Sequence, residues 1–197
     1  TEVTHNTFIV ESGGAFLNSG IIENDSIFEN RGLFVNKGNE GQGPGIFTNN
    51  VIIRNKGDMV LEAGSVLTGS GHYAQFSGTT TFDGTMSLQE GFADSFDFFG
   101  GTFGGSGTVA RDIIVRDTDD LESVILTDGP LTIKGSIETS RSHFINQSNS
   151  VVIEGDFSSS DDGNFINEGT VRLDGRFSSI LGTVHLLAGS VFEAGKK

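Results

Sequence analysis

The stretch that decides the fold runs from Ala15 to Gly38 and reads AFLNSG, IIENDS, IFENRG, LFVNKG, four consecutive six-residue units. Their second positions are Phe16, Ile22, Phe28 and Phe34, and their fourth positions are Asn18, Asn24, Asn30 and Asn36. Residues two apart lie on the same side of an extended strand, so the apolar and the asparagine positions share one face. The third position is polar or mixed, as in Glu23 and Glu29, and later in Thr48, Arg54, Thr132, Glu138, Arg172 and His185, which suits an outward face. Each unit closes on Gly or Ser, and glycine tolerates the left-handed backbone of a corner.

The pattern extends toward the C-terminus. After NEGQGPG at 39–45 it resumes as IFTNNV, IIRNKG and DMVLEAG, and it returns from Pro130 as PLTIKG through to SVFEAG at 190–195. Strands of about four residues, each followed by a corner and lacking the Asn-Gly or Asp-Gly pairs of two-residue hairpins, fit a coil better than a meander. The spacing predicts an all-β, single-stranded parallel β-helix (β-solenoid) over 1–197. Roughly 18–21 residues per three-sided turn gives about ten turns and a rod of about 45–50 Å. Two intervals depart from the period: 39–45, expected to be a loop leaving a corner, and 91–129, where EGFADSFDFFGGTFGGSG crowds phenylalanines together.

Stacking of equivalent positions assigns a structural ladder to Phe16, Asn18, Phe28, Asn30, Phe34, Asn36, Phe47, Asn49, Phe144, Asn146, Phe165 and Asn167. Phenylalanines fill the interior, and each buried asparagine amide finds the carbonyl of its equivalent one turn away and the backbone of the bend. The sequons at Asn24 and Asn146 fall in this inward column, which argues against their modification. The apolar first positions Ile21, Ile27, Leu33, Ile46 and Ile52 either form an outward stripe or are absorbed at the corners.

Composition narrows the function classes. The chain of 197 residues has 29 Gly, 17 Phe, 2 Pro and no Cys, with 12 basic against 26 acidic residues and a net charge of −14. Such a charge repels phosphate backbones, so nucleic acid is not an expected partner. The absence of cysteine removes disulfides, zinc thiolates and a thiol nucleophile. No apolar run reaches the ~20 residues of a membrane-spanning helix, and no export signal opens the chain, so a mature product or an excised fragment is expected.

Candidate sites are few. Asp117, Asp119 and Asp120, and the pair Asp161 and Asp162, are oxygen ligands in type, but lack the glycine-aspartate spacing of calcium-binding β-rolls and read first as solvated loop acids. Arg111, Arg116 and Asp117 are the first place to look for a binding or catalytic cluster. His5, His72, His143 and His185 are scattered and read as surface residues. The threonines Thr79, Thr85, Thr102, Thr108, Thr170 and Thr183 do not recur regularly enough for a flat ice-binding array. No cofactor is expected.

Units such as Phe28-Glu29-Asn30-Arg31-Gly32, Phe34-Val35-Asn36-Lys37-Gly38 and Phe165-Ile166-Asn167-Glu168-Gly169, with LLAGSVFEAG near the end, resemble the parallel β-helices of bacterial filamentous-haemagglutinin-type and autotransporter-passenger adhesins. The resemblance lies in the repeat and brings no catalytic motif. It implies a right-handed, three-sided, extracellular or cell-surface rod, continuous with neighbouring domains of the same polypeptide and without membrane insertion. The expected function is then non-enzymatic and adhesive, toward a surface glycan or protein receptor. A β-helix polysaccharide lyase or hydrolase is the competing class, and a phage fibre segment a third, which trimers in analytical ultracentrifugation would favour.

Overall fold

The computed structural model describes residues 6–38, 43–88, 95–116, 123–127, 129–148 and 150–195. The strands form successive coils of three. The first contains β1 (Thr7–Val10), β2 (Ala15–Asn18) and β3 (Ile21–Asn24), and the second β4 (Ile27–Asn30), β5 (Leu33–Asn36) and β6 (Ile46–Asn49). The third has β7 (Ile52–Asn55), β8 (Asp58–Leu61) and β9 (Val66–Gly69), and the fourth β10 (His72–Gln75), β11 (Thr79–Phe82) and β12 (Thr85–Leu88). The fifth has β13 (Ser95–Phe98), β14 (Gly101–Gly104) and β15 (Thr108–Val109), and the sixth β16 (Asp112–Val115), β17 (Ser123–Thr127) and β18 (Leu131–Ile133). The last three coils are β19 (Ile137–Ser140), β20 (His143–Asn146), β21 (Val151–Ile153); β22 (Phe157–Ser160), β23 (Asn164–Asn167), β24 (Thr170–Leu173); and β25 (Phe177–Ile180), β26 (Thr183–Leu186), β27 (Val191–Ala194).

Among the described residues every third strand pairs in parallel, giving three sheets of nine strands each: A from β1 to β25, B from β2 to β26 and C from β3 to β27. The fold is therefore an all-β parallel β-solenoid, with no helix among the described residues. Nine strands per sheet correct the expectation of ten turns, and eight steps at the parallel strand spacing span about 38 Å. The repeat length is less uniform than the sequence spacing implies, because equivalent asparagines lie 18 residues apart between Asn18 and Asn36 but 25 apart between Asn24 and Asn49. The interruption at 39–45 lengthens that coil; of it, residues 39–42 lie outside the described residues.

The interval 91–129 keeps the solenoid geometry where it is described. β13 to β17 pair in parallel with the coils on either side. The crowded phenylalanines divide by pleat: Phe96, Phe98 and Phe103 are fully buried, Asp97 points to the opposite face, and Phe99 lies at a corner, where its ring stacks on Phe76 at 4.8 Å. Phe92 lies outside the described residues. At this coil sheets B and C shift by one pleat repeat, so Phe103 pairs with Leu126 and Leu126 with Asn146, while Val124 pairs with Phe144. A shift of two residues keeps every inward side chain inward.

The core is the set of stacked inward positions. Phe16 lies 5.8 Å from Phe34, Phe8 5.4 Å from Phe28, Phe144 5.7 Å from Phe165 and Phe157 5.6 Å from Phe177, all near-parallel stacks. Phe47 meets Phe28 and Phe34 edge to face. Asparagine amides donate from coil to coil: Asn18 to Asn36 at 2.8 Å, Asn24 to Asn49 at 2.9 Å, Asn30 to Asn55 at 2.8 Å and Asn146 to Asn167 at 2.7 Å. Their second donor hydrogens reach corner carbonyls, as Asn36 does at Val66 O and Asn49 at His72 O. The sheet A ladder ends in a buried node in which Asn55 and Tyr73 donate to the Thr80 hydroxyl, which donates to Gln75. Burial pushes the Tyr73 phenol well above its ordinary range.

The corner glycines serve mainly close approach. A Cβ on Gly32 would strike Gly14 O, one on Gly57 would strike Gly32 O, and one on Gly78 would strike Gly57 O, so these residues form a ladder in which each corner crosses directly over the last. Of these, Gly78 alone has a left-handed backbone, at φ 74°. The expectation that corner glycines serve positive φ therefore holds at a minority of sites. Among the described residues, four that are not glycine, Arg141, Asp161, Asp162 and Leu181, adopt positive φ themselves.

Phe34→Ala should destabilise the chain by about 3–5 kcal/mol in urea unfolding. Phe177→Ala, at an exposed end, should cost less than half as much. Gly57→Ala should lower the melting temperature, whereas Gly20→Ala, whose Cβ meets nothing within 4 Å, should be neutral or stabilising by about 0.4–1 kcal/mol.

Candidate functional site

The outward face of sheet A carries an open groove of about 850 Å³ that crosses six coils, from His72 on β10 to Ser178 on β25. Its position follows from the repeat. First and third positions of the repeat units that form sheet A face outward, and from β10 onward they are mostly charged or hydroxylated: His72, Asp97, Asp112, Glu138, Ser158 and Ser178. Toward the N-terminus the same columns carry Ile27 and Ile52, opposite His72 in register.

At one end of the groove three residues from three successive coils converge. Asp97, central in β13, is 8% exposed. Its Oδ1 accepts from Arg116 Nε at 2.9 Å, and its Oδ2 lies 3.1 Å from His72 Nε2. Burial raises the Asp97 pKa, but the contacts with His72 and Arg116 outweigh it and hold the carboxyl below its ordinary range. A buried carboxylate held by an arginine and faced by a histidine is an anchor, ionised across the physiological range.

The other aspartates of the groove serve its wall. Asp112 Oδ1 accepts the backbone N–H of Ser136 at 2.6 Å, Ser136 Oγ accepts that of Asp156 at 3.0 Å, and Asp156 Oδ1 accepts that of Arg176 at 2.7 Å. One short polar side chain per coil thus satisfies the next corner amide. These acceptors sit on the rim, leaving Glu138, Ser158, Ser178 and the arginine head groups to face an occupant.

The sequence-predicted site residues separate. Arg116 lies in the groove; Arg111 does not line it, and one of its guanidinium nitrogens is buried without a hydrogen-bond partner. Asp117, Asp119 and Asp120 lie outside the described residues. Asp161 and Asp162 occupy a left-handed corner, where Asp161 accepts from Ser140 at 3.4 Å. No group of three metal-ligating side chains occurs among the described residues. His72, read as a surface residue, lies on the outward face of sheet A, its side chain 20% exposed against Asp97. His143 is half-buried, His185 is exposed, and His5 lies outside the described residues.

Asp97 and His72 escaped the sequence reading because partners one coil apart are separated by a full turn of chain. The usable signal was SFDFF, where a carboxylate between two inward phenylalanines must point outward.

A second charged cluster lies at the corner beyond sheet A. Glu29, 7% exposed, accepts from Arg31 at 2.7 Å and Lys56 at 3.1 Å, and Arg31 reaches Glu11 at 3.4 Å. The hydrogen bond from Arg31, ahead of that from Lys56, holds the Glu29 carboxyl below its ordinary value. Lys56 also lies over the Phe76 ring at 5.7 Å.

The chain matches no protein family, no curated protein and no solved structure at significant similarity.

A carboxyl depressed in the folded state contributes stability that is present above the unfolded value, about 3.9 for Asp, and lost as pH falls through the folded value. Asp97→Asn should therefore lower the melting temperature at pH 7, and its deficit relative to the parent should shrink below about pH 4, as thermal melts across pH 2–7 would report.

Proposed function

We propose that this chain is a non-enzymatic, extracellular structural and adhesive segment of a bacterial surface protein, a right-handed β-helical rod that holds an extended polar partner along the groove of sheet A. A surface glycan is the occupant that suits this groove best. The right-handed coil agrees with the general preference for right-handed crossovers between parallel strands.

The observation that carries the reading is the length and chemistry of the groove. It crosses six coils and is open along its length, lined by three serines, three aspartates, a glutamate, two arginines and a histidine, with Ile113, Ile114 and Phe177 among them. A chain of hydroxyl-bearing units can lie parallel to the rod and find similar donors and acceptors on each coil. The carboxylate best enclosed, Asp97, is held ionised by its neighbours, whereas general acid catalysis on a glycoside needs a carboxyl with a raised pKa. Glu138 and Ser158 are register partners and offer an acceptor and a hydroxyl on successive coils.

One observation favours the lyase or hydrolase reading: His72, Asp97 and Arg116 converge at one end of the groove that crosses six coils. A glycan array combined with an activity screen on polyuronic acids separates the two. The adhesive reading predicts binding without cleavage, weakened tenfold or more by Arg176→Ala with the fold intact by circular dichroism. Release of unsaturated or reducing products would overturn it.

A further inference from the structure

The charges that line the groove of sheet A do not balance. Four consecutive coils each bring one carboxylate to it: Asp97 from the fifth, Asp112 from the sixth, Glu138 from the seventh and Asp156, just before β22, from the eighth. Two guanidiniums stand against them, Arg116 and Arg176, so with His72 neutral the lining carries a surplus of two negative charges. Arg116 is bound to Asp97 at 2.9 Å. Arg176 stands one coil beyond Asp156, whose Oδ1 accepts its backbone N–H at 2.7 Å.

The surplus therefore falls on Asp112 and Glu138, neither of which makes an ion pair among the described residues. Asp112 uses Oδ1 on the Ser136 amide. Glu138 borders a smaller recess of about 270 Å³ shared with Arg116 and Arg141, and it pairs with neither. Glu138 is the register partner of Ile114, two residues along from Asp112. The two acids thus lie diagonally across neighbouring coils, about 8 Å apart, and an ammonium fits between their carboxylates. Ser136, Ser158 and Ser178 continue the lining toward the last coil with one hydroxyl per coil.

We propose that the groove selects a glycan of amino sugars with free, protonated amines. One amine sits between Asp112 and Glu138, and the hydroxyls of the units beyond it meet Ser158, Ser178 and the Arg176 guanidinium. An occupant lying over these two carboxylates strips water from them, which is unfavourable unless a counter-charge replaces it. A neutral sugar brings none, and a uronate adds repulsion. A metal ion does not substitute, since the described residues hold no group of three metal-ligating side chains. The serines favour a cation carried on a hydroxylated chain over a lysine-bearing peptide. The proposal rests on the glycan-holding reading of the groove and adds the charge of the glycan to it.

Fluorescence anisotropy with the full chain tests it, using labelled hexamers of glucosamine, N-acetylglucosamine and galacturonate at about pH 6, where ordinary carboxyls are ionised. The glucosamine hexamer should bind about five- to tenfold more tightly than the acetylated one, and the galacturonate hexamer more weakly than either. Asp112→Asn, which keeps the oxygen that accepts the Ser136 amide, and Glu138→Gln should each reduce the preference for the free amine about two- to fivefold, the scale of an exposed ion pair. Glu168→Gln, which follows β23 in sheet B, removes a charge outside the groove and should leave the preference in place. Circular dichroism establishes that each variant is folded. Equal affinity for the first two hexamers, tighter binding of galacturonate, or a preference indifferent to Asp112 and Glu138 would overturn the assignment while the glycan-holding reading stands. A lysine hexapeptide bound as tightly as the glucosamine hexamer would overturn it as well, because charge alone would then be recognised. Binding of none of the three glycans would overturn the reading itself.

Discussion

Parallel hydrogen bonding between successive coils holds each residue about 4.8 Å above its equivalent, and the choice of side chain is governed by what can be repeated at that distance. Phenylalanine rings stack there, as Phe16 on Phe34 and Phe157 on Phe177 do. Asparagine amides hydrogen-bond to one another there, since each carries a donor and an acceptor at one end. At the corner between sheets A and B in the first four coils, where backbone crosses backbone, a side chain does not fit, and glycine repeats on glycine from Gly14 through Gly32, Gly57 and Gly78. Phenylalanine, asparagine and glycine ladders are three answers to one spacing.

The same spacing shapes the surface. A single charge repeated on every coil would repel itself along the rod, and outward charges are instead paired with opposite ones on the same or a neighbouring coil. Glu29 lies between Arg31 and Lys56, Arg172 pairs with Asp174, and Asp97 is clasped by His72 and Arg116 from the coils before and after. Aspartates and serines at one corner of sheet A each cap the amide of the next coil, which is how an acidic chain uses its carboxylates as structural acceptors. The groove is what remains between these commitments, with polar walls and a floor of sheet.

How much of this was legible in the sequence depended on how local each relation is. The hexads from Ala15 to Gly38 announce strand, corner and inward face because all three are set within six residues. The Asn18 to Asn36 hydrogen bond could be anticipated since both residues hold the same place in their units. The stretch from Phe96 to Phe103 obscured the period, because Phe98 occupies the place held elsewhere by asparagine and Phe99 adds a ring at the corner. Its pleat was present in the alternation of Phe96, Asp97 and Phe98, but the one-pleat shift of sheets B and C was not, since a two-residue slip leaves the inward pattern unchanged. The groove was the least legible part. His72, Asp97 and Arg116 belong to three coils whose lengths differ, and only the register brings them together.

The central claim is that register, and the absence of native cysteine makes it directly testable. Glu138 and Ser158 are partners on the outward face of neighbouring strands of sheet A, while Ser159 is buried on the opposite face. Cysteines at Glu138 and Ser158 fall at a parallel-strand separation that a disulfide can bridge. Under mild oxidation the Glu138→Cys, Ser158→Cys pair should close quantitatively within the monomer, as mass spectrometry of the intact and proteolysed protein would read, and the Glu138→Cys, Ser159→Cys pair should stay reduced. Closure of the second pair in place of the first would contradict the coil-on-coil register from which the ladders and the groove are derived.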